Sequence, residues 1–74
     1  MKADQTQRKL GVAVRHYRER LGISQEAFAD KVSMHRTYYS AIERGEKNPT
    51  LRTLVRIAEG LGIHLAEILA EAGL

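Results

Sequence analysis

Arg36, Thr37, Ser40, Ala41 and Arg44 fall on one side of a helix if residues 36–44 are helical, while Tyr39 and Ile42, at i and i+3, fall on the other. The polar side carries the chemistry of base-pair recognition. The guanidinium of Arg36 is a fork of donors that matches O6 and N7 of guanine, a pairing that discriminates by roughly 1–3 kcal/mol against a wrong base. Thr37 offers a hydroxyl to a base edge and a methyl group to thymine, and Ser40 and Ala41 are small enough to let a backbone approach a duplex. Arg36, Thr37, Ser40 and Ala41 are therefore the expected base readers. Around them, His35 and Tyr38 flank the face and could touch phosphate, Lys47 and Asn48 follow it in a loop, and Arg44 and Arg52 are further phosphate candidates. Each has a bland alternative: a solvated arginine, a packed tyrosine, a histidine that caps a helix.

The elements that must position these residues are legible from spacing. Phe28, Ala29 and Val32 give a preceding segment its own apolar side, and only Ser33, Met34 and His35 separate it from Arg36. Two amphipathic helices joined by so short a turn form a helix-turn-helix, whose second helix can enter the major groove. Upstream, Leu10, Ala13, Val14, Tyr17 and Leu21 keep helical spacing over about residues 5–21, with Asp4 and Gln7 as a capping box, Gly22 as the stop and Ser24 as the next cap. Downstream, Gly45 to Pro49 reads as a loop and Thr50 as a cap. Leu51, Leu54, Val55, Ala58 and Leu61 make the inward stripe of a fourth helix ending at Gly62, and Leu65, Ile68, Leu69 and Ala72 mark a fifth over 65–72. No strand-like alternation occurs. The expectation is a single all-α domain over residues 1–74, a compact five-helix bundle.

Composition narrows the function. There is no cysteine, which excludes disulfides and thiolate zinc sites, and no apolar run near the roughly 20 residues that a membrane span needs. A soluble, cytoplasmic protein is expected, with no membrane contact and no cofactor. Residues 1–48 hold ten Lys or Arg against six Asp or Glu, whereas residues 49–74 hold two against three. The basic half contains the helix-turn-helix, and positive charge there supplies the sequence-independent part of affinity for a polyanion. His16, His35 and His64 lie on different elements without metal-site spacing, and no glycine-rich phosphate loop or converging nucleophile and base is present. An enzyme is not expected.

From Leu21 to Leu69 the sequence resembles the lambda-repressor-like helix-turn-helix family, the Cro, phage-repressor and xenobiotic-response-element class. The resemblance is carried by LGISQEAFADKV, YYSAIERGEKNPTLRTLVRIAEGLGI and HLAEIL. HRTYYSAIERGEKN further resembles the recognition segment of restriction-modification controller proteins, mainly through Arg36-Thr37-Tyr38. The resemblance implies the lambda-repressor-like fold, a phosphate contact from Gln25 at the start of helix 2, and a partly buried structural ion pair between Arg18 and Glu43. Two positions depart from the pattern. Ser33 stands where the turn commonly has glycine, and His35 stands where helix 3 commonly has a Ser, Thr or Asp cap.

One short helix in a groove reads few bases, so a homodimer on a two-fold operator of double-stranded DNA is expected. Leu61, Ile63, Leu65, Ala66, Ile68 and Leu69 are the candidate dimer surface, with Leu65 and Ala66 central. No domain for sensing a small molecule is expected, so occupancy would follow protein concentration. The function expected is a sequence-specific transcriptional regulator, with a restriction-modification controller as one form. The alternative is an antitoxin or phage-type repressor whose helix-turn-helix also binds protein.

Overall fold

Four of the helices begin where a nearby group satisfies a free backbone amide. Ser24 Oγ accepts from the Ala27 N–H at 3.0 Å, and Thr50 Oγ1 from the Thr53 N–H at 3.1 Å. His35 Nδ1 accepts from the Thr37 N–H at 3.3 Å, and the His64 N–H donates to Glu67 Oε2 at 3.0 Å. The computed structural model describes the backbone of residues 2–74 and the side chains from Gln5 onward. Among the described residues the elements are α1 (Lys2–Leu21), α2 (Gln25–Lys31), α3 (Arg36–Glu43), α4 (Leu51–Leu61) and α5 (Leu65–Ala72), with no strand. No helix among them is long and apolar enough to cross a membrane.

Helix α1 starts earlier than its capping signal suggests. Lys2 is already helical, so Asp4 lies inside the first turn rather than capping a helix that begins after it. The stretch KADQTQRK is mostly strong helix formers and holds no breaker, so helicity extends back past Asp4.

Helix α1 packs on α3, α4 and α5, and α2 packs on α3. Val14, Phe28, Tyr39, Ile42, Ile57 and Ile68 are the largest fully buried side chains, and the Phe28 and Tyr39 rings meet at 5.1 Å between centroids. Where α1 crosses the end of α3 the two backbones nearly touch: a Cβ on Gly11 would sit 2.4 Å from the Glu43 carbonyl oxygen and 2.5 Å from that of Ile42. The turn after α2 is closed by Met34 N–H to Ala29 C=O at 2.8 Å and Ser33 N–H to Asp30 C=O at 3.1 Å. That pattern places its middle residue in the left-handed region, and Ser33 has φ of 56°.

The structure revises several inward assignments. On α4 the buried side is Ile57, Ala58 and Leu61 with Leu54 half-buried, while Leu51 is 69% exposed and Val55 40%. Two overlapping apolar arcs fit helical spacing there. Close approach of Gly60 to α2, where a Cβ would lie 2.3 Å from Val32 Cγ1, is possible only with the rotation that buries Ile57. Leu21, read as the last inward residue of α1, is exposed. Leu61 and Ile68, read as part of a dimer surface, are core residues and have almost no area left to offer a partner.

Two substitutions test this frame by urea denaturation. Gly11→Ala is expected to lose roughly 1–3 kcal/mol, because backbone cannot move aside for the new methyl and the clash outweighs the helix-propensity gain. Ser33→Gly is expected to gain up to about 1 kcal/mol by relieving the positive φ.

Candidate nucleic-acid interface

The end of α3 is fixed by one buried carboxylate. Arg18, late in α1, donates to Glu43 through Nε to Oε2 at 2.7 Å and Nη2 to Oε1 at 3.1 Å. Its remaining arm, Nη1, donates to the Ile23 carbonyl at 2.8 Å. Gln25 Nε2, on α2, donates to Glu43 Oε1 at 2.8 Å, and the Tyr39 hydroxyl donates to Oε2. Glu43 is thus served by α1, α2 and α3 together, with its side chain 2% exposed. Burial pushes its carboxyl pKa up, but the hydrogen bonds from Arg18, Tyr39 and Gln25 outweigh that and hold it below its ordinary value. Burial and the neighbouring carboxylate push the Tyr39 hydroxyl well above its usual range, so it remains a donor.

Held this way, α3 presents Arg36, Thr37 and Arg44 to solvent, with Ser40 and Tyr38 half-buried between the exposed face and the core. Lys47, Asn48 and Arg52 are exposed beyond its C-terminal end. Arg36, Ser40 and Arg44 line an open cleft with Ser24, Gln25 and Glu26 of the α2 start and Arg15 and Arg18 of α1. The cleft arginines rest on carboxylates: Arg15 Nε to Glu19 Oε2 at 3.0 Å, Arg44 Nη2 to Glu46 Oε1 at 3.0 Å, and Arg36 Nη1 to Glu26 Oε1 at 3.9 Å.

Several sequence-based roles change. Ala41 is 5% exposed and faces inward, so it cannot meet a base edge as expected; the helical arc that buries Ile42 turns far enough to include its neighbour. Ser40 Oγ donates to Gln25 Oε1 at 2.9 Å, so its hydroxyl hydrogen is used within the protein and only its lone pairs face outward. Gln25, whose amide was expected to meet phosphate, is held at both ends by Ser40 and Glu43 and keeps one free N–H. His35 caps α3 through Nδ1, which leaves its proton on Nε2, the other ring nitrogen. Tyr38 packs against the core cluster.

This geometry, a helix projected after a tight turn and backed by a basic cleft, has known relatives. Residues 14–68 match the helix-turn-helix family. The chain belongs to that family.

Among relatives of this helix-turn-helix chain, control protein C.MunI of a Mycoplasma species is 44% identical over 54 residues, covering 73% of each chain. Control protein C.SmaI of Serratia marcescens is 41% identical over 61 residues, 82% of this chain and 73% of that one. The crystal structure of the restriction-modification controller protein C.AhdI from Aeromonas hydrophila superimposes with a TM-score of 0.80 at 33% identity, over 82% of this chain and 92% of that chain. As a helix-turn-helix protein of this class, the chain is a DNA-binding transcriptional regulator of all-α fold.

Sequence reading of this helix-turn-helix missed Arg15 and the Tyr39 hydroxyl at the site, and it placed Glu26 only at the dipole of the α2 start, not beside Arg36. Arg15 stands at i−3 from Arg18 and so shares its face, which was a usable signal. The Glu26 to Arg36 and Tyr39 to Glu43 approaches depend on how α2 and α3 are rotated, and spacing does not give that.

Because its folded pKa lies below the ordinary 4.5, the unfolded chain takes up the Glu43 proton first. The stabilisation from this group is therefore present above the ordinary glutamate range and is lost as pH falls through it toward the folded value. In Glu43→Gln that part of the acid-induced loss should vanish from a stability-against-pH curve. Arg18→Ala, which strands the carboxylate, is expected to cost roughly 3–5 kcal/mol at neutral pH, read from thermal melts.

Proposed function

We propose that this regulator is the controller of a restriction-modification system, binding as a homodimer to a two-fold operator in the cytoplasm. The observation that carries the reading is the exposed Arg36-Thr37 pair at the start of a rigidly seated α3, backed by a cleft that gathers four arginines. The kinship with C.MunI, C.SmaI and C.AhdI supports the controller role. In this reading Arg36 and Thr37 read bases and Ser40 accepts from a base edge. Arg15, Gln25, Arg44, Lys47, Asn48 and Arg52 track the phosphates, and the Nε2–H of His35 serves as a flanking donor.

The dimer is assigned to the residues of the C-terminal region that keep accessible surface. Ile63, Leu65 and Leu69 are half-buried and Ala66 is exposed, which leaves an apolar face on α5. Leu51 and Val55, one turn apart on α4, add exposed apolar area to the same half of the chain. That half carries the negative share of the charge, so pairing through it keeps both basic faces free for adjacent half-sites.

Selection of bound duplexes from a random pool at two salt concentrations tests DNA reading. A palindrome is expected, and Arg36→Ala should lose preference at one position per half-site, costing roughly 1–3 kcal/mol there. Uniform weakening would make Arg36 a phosphate contact, and no complex even in dilute buffer would overturn the reading. Ala66→Asp leaves the core untouched and should reduce the sedimenting mass to the 8.3 kDa monomer. An undiminished dimer mass would reject the α5 interface.

A further inference from the structure

Arg36 has a resting partner. Its Nη1 lies 3.9 Å from Glu26 Oε1, across the cleft between the first turn of α2 and the first turn of α3, and both side chains are largely exposed, at 64% and 75%. A carboxylate on a surface meant for a polyanion is unfavourable toward every phosphate, so its position beside the principal base reader calls for a reason. Glu26 is not the α2 cap, which is Ser24, nor part of the Glu43 network, which Gln25 joins; its place in the first turn of α2 suits the helix dipole, but that role does not require it to face Arg36. The same arrangement recurs at Arg44 with Glu46 and at Arg15 with Glu19. Of the three, only the Glu26 pair involves a residue expected to read a base.

We propose that Glu26 is a specificity-determining residue that softens the guanine preference of Arg36 by giving its guanidinium an alternative partner within the protein. The inference rests on the DNA-reading role of Arg36 given above. When the operator presents guanine, Arg36 leaves Glu26 and takes O6 and N7. When it presents another base, Arg36 returns to Glu26 instead of being stranded in the groove. Discrimination at that position is the difference between the guanine pairing and the Glu26 pairing, so it is smaller than an arginine without a resting partner would give. Loss of the carboxylate strengthens binding to the guanine site by the strength of the broken pair, beyond any change shared by all sites. The shared change is the loss of phosphate repulsion. A regulator built this way tolerates non-identical half-sites and grades its affinity among them.

The test compares two duplexes, one recovered by the selection above and one differing from it only at the base pair that Arg36 reads. Both are titrated by fluorescence anisotropy at one salt concentration. Glu26→Gln is expected to raise the ratio of the two affinities by about 1.4- to fivefold, the range of an exposed ion pair. In the Arg36→Ala background the same substitution should leave the ratio unchanged, which a general charge effect would also do in the parent. Glu59→Gln, remote on α4, is the control and should not move the ratio in either background. Equal tightening on both duplexes by Glu26→Gln would overturn the inference by reducing Glu26 to bulk charge. A fall in the ratio would overturn it by making Glu26 an aid to reading. Failure of the parent protein to bind either duplex would sink the DNA-reading role itself, a different result from an unchanged ratio in a protein that binds.

Discussion

A buried carboxylate has to be satisfied or the fold does not hold, and in this chain that obligation falls on Glu43. Four hydrogen bonds reach it from Arg18, Gln25 and Tyr39, so one side chain ties α1, α2 and the end of α3 to a common point. Charge-assisted contacts of this geometry are directional, unlike the apolar packing around Phe28 and Ile42, which would tolerate some sliding. The close backbone approach at Gly11 adds a steric stop on the same end. The other end of α3 is set by the Ser33 turn and the His35 cap. A helix fixed at both ends presents its outer side chains at a constant angle, which groove recognition requires.

The frame and the proposed reading surface use opposite sides of the same eight residues of α3. Tyr39, Ile42 and Glu43 face in; Arg36 and Thr37 face out. The arginines outside are balanced by carboxylates on neighbouring turns, so the free protein carries a muted rather than a bare positive face. Under the proposed DNA contacts, exchange of those carboxylates for phosphates or bases is a near-even trade, which favours reversible and graded occupancy over tight, indiscriminate attachment.

Much of this was legible in the sequence. The five helices, the tight turn, the Ser24 and Thr50 caps and the Arg18–Glu43 pair follow from spacing, cap chemistry and family resemblance. What spacing did not give was rotation. Ala41 passes from the expected reading face to the interior, and Ile57 replaces Leu51 and Val55 in the core, while Leu61 and Ile68 are wholly used by the core and leave the candidate dimer surface. An apolar arc wide enough to fit two registers cannot choose between them, and the choice is made by contacts distant in sequence, such as Gly60 against Val32. The start of α1 was missed for a local reason: a capping signal at Asp4 was outweighed by helix-forming residues on both sides. The polar links of Tyr39 and Ser40 were hidden because their side chains serve a packing role and a hydrogen bond at once.

The Ser40 to Gln25 hydrogen bond has an evolutionary corollary. If Arg36 and Thr37 read bases as proposed, positions 36 and 37 can be recut for a new target without disturbing the scaffold, much as a key is refiled while its shank stays whole. Position 40 has no such freedom, since its hydroxyl belongs to the chain that runs through Gln25 to Glu43. Divergence among descendants of this protein should therefore be fast at the first two places and slow at the third, and target switching should be led by the leading turn of α3.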